Sequence, residues 1–126
     1  MTKWLLDTNA LIWLFEGSPR MKPVLPFLSQ KETNVYISVV SWWEIAIKER
    51  KKTISITGLQ LESFVNMYDF HELAVSRDQF KAYKELPHIH KDPFDHMLLA
   101  QAITSPMRLI TGDKTLAQYS SLVMVI

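Results

Sequence analysis

The stretch Lys91 to Asp113, K-D-P-F-D-H-M-L-L-A-Q-A-I-T-S-P-M-R-L-I-T-G-D, admits few folds, because it holds a helix entry, a helix, a strand and three carboxylates in close succession. Asp92 before Pro93 has the form of a helix start, with Asp at the N-cap and Pro at the first helical position, where a missing N–H costs nothing. Asp95 falls in the first turn on the face shared with Leu98, Leu99 and Ala102, so it leans toward the core at the helix end. Arg108 to Thr111 reads as a strand that delivers Gly112 and Asp113 at its carboxyl end. Acids therefore stand where strands end and helices begin.

The same arrangement recurs along the chain. A short strand, Lys3 to Leu6, ends on Asp7, and the segment T-N-A-L-I-W-L-F follows as a buried helix that stops before Glu16-Gly17-Ser18-Pro19. A helix is predicted over Val24 to Glu32 and a β-branched strand over Asn34 to Val40. The segment S-W-W-E-I-A-I-K then starts a helix, with Ser41 and Glu44 spaced as a capping box. Thr57 to Tyr68 reads as an amphipathic helix turning Leu59, Leu61, Phe64, Val65 and Tyr68 to the core. A third strand over Phe70 to Val75, a helix over Ser76 to Leu86 with Ser76 as N-cap, and, at the far end, a short helix and a strand over Leu122 to Ile126 complete the pattern. Strands that are nearly all apolar and alternate with helices predict an α/β fold, a single-domain α/β/α sandwich around a parallel sheet of about five short strands.

Composition narrows the chemistry. At 126 residues, 48% of them hydrophobic and only three of them glycine, the chain is expected to form one domain over residues 1–126 rather than a disordered or linker-joined assembly. With no cysteine it has neither a disulfide framework nor a thiolate metal site, which suits a reducing cytoplasm. No run is long and apolar enough for a signal peptide or a membrane span, so a soluble cytoplasmic protein without membrane contact is expected. A net charge of +1 exerts no general pull on nucleic acid. One local cluster exists, Lys48, Arg50, Lys51 and Lys52 at a predicted helix end, readable as a solvated terminus favoured by the helix dipole or as a patch that contacts phosphates.

Right-handed crossovers place every carboxyl end of a parallel sheet on one edge, so Asp7, Glu44, Asp92, Asp95 and Asp113 should converge there. Each alone could be a helix cap. Capping is satisfied as well by Ser, Thr or Asn, however, so a uniformly acidic choice suggests that charge itself is wanted. Carboxylates held close stay ionised when a cation neutralises them, the usual setting for Mg²⁺ or Mn²⁺. His88, His90 and His96 raise a zinc alternative, disfavoured by the lack of cysteine and by local acids that suit harder ions. Trp42 and Trp43 are neighbours on a helix, about 100° apart, so they cannot both face one core strip, and one is free to meet a partner.

The set L-L-D-T-N-A-L-I-W, S-V-V-S-W-W-E-I-A-I-K, K-D-P-F-D-H-M-L-L-A-Q-A and L-I-T-G-D, in this order along the whole chain, resembles the PIN-domain ribonucleases of the VapC toxin type. The resemblance implies a parallel sheet flanked by helices and an RNA phosphodiester hydrolase in which Asp7, Glu44, Asp95 and Asp113 are the catalytic acids that hold Mg²⁺ or Mn²⁺. Asp92 matches a supporting acid, and Thr8, Asn9 and Thr111 match polar positions that orient the acids or a bound water. It also implies a cognate antitoxin as partner and a homodimer. One departure stands out: His96 occupies a position where close relatives of this pattern usually carry Arg. His96 therefore joins Lys48, Arg50, Lys51 and Lys52 as a candidate RNA-contacting position, although His is mostly neutral at pH 7. Two other functions remain open. A phosphatase of the haloacid-dehalogenase type also begins with an Asp after its first strand, but it needs a second Asp two residues later, where Asn9 stands. A non-catalytic domain that binds RNA or a partner needs no converging acids at all.

Overall fold

A computed structural model describes residues 2–88 and 91–126 of the chain. His90, part of the zinc alternative, lies outside them. Five strands, β1 (Thr2–Leu6), β2 (Thr33–Ser38), β3 (His71–Leu73), β4 (Arg108–Thr111) and β5 (Val123–Val125), form one sheet in the order β3-β2-β1-β4-β5, and every adjacent pair is parallel. The α/β class and the five short strands are those the sequence predicts. Helices α1 (Thr8–Glu16), α2 (Leu25–Leu28), α3 (Val39–Arg50), α4 (Gly58–Met67), α5 (Arg77–Glu85) and α6 (Pro93–Thr104) connect them, with 3₁₀ turns at Pro19–Met21 and Lys114–Gln118.

The pleat divides the core between the two faces of the sheet. Trp4, Leu6, Val35, Ile37 and Ile110 point to one side, where they pack with Ala10 and Leu11 of α1, Ile45 of α3 and Leu61 of α4. Leu5 and Leu109 point to the other, against Leu98, Leu99 and Ala102 of α6. Alternate residues of one strand thus serve two helical layers, which is why the strands read as continuous apolar runs. Leu5, Leu98, Leu99 and Leu109 are all fully buried, and truncating such a leucine to alanine costs about 2–5 kcal/mol. A buried polar chain ties the second layer to the sheet edge. Ser38 Oγ donates to Gln101 Oε1 at 2.5 Å, and Gln101 Nε2 donates to Gln79 Oε1 at 3.1 Å, joining β2, α6 and α5.

Several predicted boundaries move, each for a local reason. The helix predicted over Val24 to Glu32 shrinks to the single turn α2, where Ser29 Oγ bonds back to the Leu25 carbonyl oxygen at 2.7 Å and the polar Gln30-Lys31-Glu32 run leads into β2. β2 ends at Ser38 rather than Val40. Its side chain accepts from Val40 N–H at 3.0 Å, so Ser38 caps α3 and the predicted Ser41–Glu44 capping box does not form. In α4 the cap is Thr57, paired in a capping box with Gln60. Leu61 and Val65 are buried as predicted, but Leu59 is 76% and Tyr68 57% exposed, because the inward stripe of this short helix is narrower than its apolar content. The third and last strands are shorter than predicted, three residues each. Among the described residues no helix is long and apolar enough to cross a membrane.

Candidate active site

The chain runs outward from β1 through β2 to β3, then returns to add β4 and β5 on the other side, so the sheet's topological switch lies between β1 and β4. In open parallel sheets ligands bind in the crevice beyond the carboxyl ends at this point. Leu6 of β1 pairs with Ile110 of β4, and the next residue, Asp7, donates its N–H to the Ile110 carbonyl oxygen at 3.0 Å. Asp7 and Thr111 are therefore neighbours across the switch. Asp7 is also the N-cap of α1, with Oδ1 accepting from Ala10 N–H at 2.7 Å.

Thr111 orders both flanking acids. Its fully buried side chain hydrogen-bonds Asp7, and its Oγ1 accepts from the Asp113 N–H at 3.1 Å. Asp113 in turn caps the 3₁₀ turn that follows, accepting from Thr115 N–H at 2.9 Å. Asp92 caps α6, accepting from Phe94 N–H at 2.9 Å, and so sets the start of the helix that presents Asp95. Asp7, Asp95 and Asp113 line one pocket of about 410 Å³ together with Asn9 and Thr111. Its remaining walls are Trp13, Arg20, Gly112 and Lys114.

Glu44 stands beside this pocket. It projects from the second turn of α3, and its Oε1 accepts the Thr8 hydroxyl proton at 2.7 Å while Lys48 pairs with its Oε2 at 3.1 Å. Its charge still reaches Asp7. Burial pushes the Asp7 carboxyl up from 3.8 to about 6; hydrogen bonds from Thr111 and Ala10 oppose the rise, and the charges of Glu44 and Asp113 add to it. Asp7 is only 4% exposed, so its ionised form lacks water and faces like charges.

The four predicted acids thus meet at one sheet edge, three on a pocket wall and one held behind it by Thr8. Among the described residues no group of three or more His, Cys, Asp or Glu side chains stands close enough together to hold a metal ion by itself. Mg²⁺ keeps several waters and is held through one or two carboxylates, so it does not require such a group. A carboxylate raised by burial, with like charges adding to the rise, is the kind of group that a divalent cation relieves. The donors present, all oxygens, fit such an ion.

The basic positions divide. Arg50, Lys51 and Lys52 are exposed at the end of α3, whereas Lys48 is half-buried against Glu44. His96 is 7% exposed, its Nε2 lies 3.0 Å from the Tyr119 hydroxyl, and its ring sits against Tyr83 and Tyr119. It is a largely buried histidine packed beside two tyrosines. Of the two tryptophans, Trp42 packs on the core and Trp43 is 63% exposed, as their angular separation requires.

Comparisons with known proteins agree with this geometry. Residues 4–122 match the PIN domain family. No curated protein sequence matches the chain. Among solved structures, VapBC2 from Rickettsia felis bound to a promoter DNA fragment is similar at a TM-score of 0.71, with 16% identity over 99% of this chain and 98% of that one. A toxin-antitoxin complex from Klebsiella pneumoniae is similar at 0.69, with 24% identity over 96% and 95%. DNA-bound VapBC from Salmonella typhimurium is similar at 0.68, with 14% identity over 100% and 98%. At these identities the neighbours speak for the fold alone, but the family match spans nearly the whole described chain, from the first buried residue of β1 to the lead-in of β5: the chain belongs to the PIN domain family.

Proposed function

We propose that this protein is a metal-dependent endoribonuclease, the toxin of a VapBC-type toxin-antitoxin pair acting in the cytoplasm. The observation that carries the reading is the pocket at the β1/β4 switch, lined by Asp7, Asp95 and Asp113, with Asp7 buried among like charges. Asp7, Asp95 and Asp113 would hold Mg²⁺ or Mn²⁺, with Glu44 adding charge from behind Thr8. A bound divalent ion supplies Lewis acidity at the phosphate and lowers the pKa of water. The protein's own part is positional. Thr111 fixes Asp7 and Asp113, Thr8 fixes Glu44, Asp92 sets the first turn that carries Asp95, and exposed Asn9 offers a neutral polar group at the pocket. The phosphatase alternative loses ground with the match to the PIN family, and Asn9 lacks the second carboxylate that chemistry needs.

The partner side of the reading draws on structural neighbours that are toxin-antitoxin and VapBC complexes. Two apolar surfaces are open to a partner here. One runs between Leu25, Leu28, Phe64 and Tyr68, the other between Trp43, Phe80, Phe94 and Met97. An amphipathic antitoxin segment on one, reaching a basic side chain toward the acids, and a second copy of the chain on the other would account for both.

The test is cleavage of a mixed RNA pool with Mg²⁺, Mn²⁺, Ca²⁺ or excess chelator, beside hydrolysis of a small phosphomonoester. Cleavage of RNA alone, supported by Mg²⁺ or Mn²⁺, poorly by Ca²⁺ and abolished by chelator, is the expected result. Full cleavage in chelator would sink the metal assignment. Metal-independent RNA binding without cleavage would favour the non-catalytic domain.

A further inference from the structure

An acidic pocket that works on a polyanion needs a cation to meet the phosphates, and two positively charged side chains, Arg20 and Lys114, line this one. Arg20 is the one that is built in. It lies in the 3₁₀ turn Pro19–Met21, capped by Ser18, whose Oγ accepts from Arg20 N–H at 3.2 Å. Its guanidinium carbon sits 3.9 Å from the centroid of the Trp13 ring, within the range of a cation–π contact. One terminal nitrogen donates to the Ile126 carbonyl oxygen at 3.3 Å. The contact holds the guanidinium over the Trp13 ring at the wall of the pocket, and a guanidinium offers several N–H donors suited to phosphate oxygens.

Gly112 fixes where this pair stands. A Cβ at residue 112 would fall 2.5 Å and 2.9 Å from Trp13 ring atoms and 3.1 Å from Arg20 Nη2. The backbone between Thr111 and Asp113 therefore touches the tryptophan and the arginine directly, and only a residue without a side chain permits it. Arg20 is thereby held one residue from Asp113, at the solvent side of a pocket in which Asp7 lies deep.

We propose that Arg20, held over the Trp13 ring beside Gly112, is the phosphate-contacting residue of the acidic pocket and receives a backbone phosphate of single-stranded RNA beside the scissile bond. The proposal rests on the nuclease reading of the same pocket. Trp13 acts as a positioning residue, through Arg20. A purely structural role is the competitor, in which Arg20 only ties the 3₁₀ turn to Ile126.

The experiment measures binding of a labelled single-stranded RNA pool in Ca²⁺ by fluorescence anisotropy across a salt series, with melting temperature and Mn²⁺-induced stabilisation recorded for each variant. R20Q should weaken binding on the order of tenfold. It should also flatten the salt slope by about 0.7, the contribution of one phosphate contact on a single strand. R20K should keep the slope but lose several-fold in affinity with the planar fork, and W13L should weaken binding with Mn²⁺ stabilisation unchanged. Equal affinity and slope in R20Q would overturn the Arg20 assignment and leave the nuclease reading standing. So would loss of affinity that tracks melting temperature in R20Q and R20K alike with the slope unchanged. If the wild-type protein neither binds nor cleaves RNA, both readings fall together.

Discussion

Thr8 donates its hydroxyl proton to Glu44 Oε1 at 2.7 Å and lies 3.0 Å from Ser41 Oγ, so the first residue of α1 holds the acid of α3 in place. With a single proton committed to the carboxylate, Thr8 acts as acceptor toward Ser41. Valine at position 8 preserves shape and removes both bonds, leaving buried Ser41 without this partner. Thr8→Val should destabilise the fold by about 1–3 kcal/mol and lower RNA cleavage by more than about tenfold, whereas Thr8→Ser should stay near wild type on both counts. Urea unfolding and single-turnover cleavage check the two parts separately. Wild-type cleavage in Thr8→Val would show that the Thr8–Glu44 bond is not needed for the reaction.

The raised pKa of Asp7 has a definite sign for stability. A carboxyl that titrates at about 6 in the folded chain and at 3.8 when unfolded favours folding below pH 3.8, and that contribution is lost as pH rises through about 6. Above that pH the metal-free fold bears a burden of about 3 kcal/mol from this one group. Asp7→Asn keeps an acceptor for Ala10 N–H and removes the charge. In chelator it should therefore be more stable than wild type at pH 8, and the gap should close by pH 4. Metal stabilisation of the wild type should fade as pH drops through about 6, because the ion competes with a proton for the carboxylate. Cleavage by Asp7→Asn should be lower by orders of magnitude. An equal stability difference at pH 4 and pH 8 would contradict the account of Asp7.

Much of this site was legible in the sequence because strand ends and helix starts leave local signals. Asp92-Pro93 marks a cap by chemistry that needs no tertiary context, and the apolar runs before Asp7 and Gly112 fix which residues leave the sheet at its carboxyl edge. The parts that were not legible depend on how distant segments fold back. Nothing near Arg20 in the sequence announces that the Gly17–Pro19 turn returns to the sheet edge, or that Gly112 is bare to admit Trp13. Ser41 and Glu44 satisfy the capping-box spacing, yet Ser38 ends the strand earlier and takes the capping role, since both serines are chemically competent and packing chooses between them. Likewise nothing around His96 in the sequence announces that Tyr83 of α5 and Tyr119 pack against its ring.

The basic cluster of α3 should split in function. Lys48 is engaged by Glu44, so Lys48→Gln should act on the acidic site, altering metal-induced stabilisation more than the salt slope of RNA binding. Arg50, Lys51 and Lys52 are exposed, and their joint replacement by Gln should flatten the slope by up to about 2 if all three contact phosphates. A slope unchanged in the triple variant would return these residues to plain solvation of a helix terminus.

Trp43 supplies the last prediction, since an aromatic ring 63% exposed on a helix is costly to leave in water and unnecessary to the core of one chain. Its ring meets Phe94 edge-on at 5.1 Å, and the two wall a groove of about 340 Å³ completed by Val40, Phe80 and Met97. Phe80 is itself 54% exposed, so α3, α5 and α6 together present an apolar face on the side of the molecule away from α1 and α4. If a second copy of the chain covers this face, Trp43→Ser should leave the melting temperature of the isolated protomer nearly unchanged, within about 0.5 kcal/mol, because little of the ring is buried. Self-association should weaken far more, by about 2 kcal/mol or roughly thirtyfold, as befits an aromatic anchor at the centre of an interface. Sedimentation velocity over a concentration series reads the second effect, and thermal unfolding at the lowest concentration reads the first. Identical sedimentation of wild type and Trp43→Ser would exclude this face from the dimer contact. A wild type that stays monomeric throughout would exclude the dimer contact; if an antitoxin segment covers the groove instead, its addition should quench Trp43 fluorescence in the wild type and it should bind Trp43→Ser more weakly.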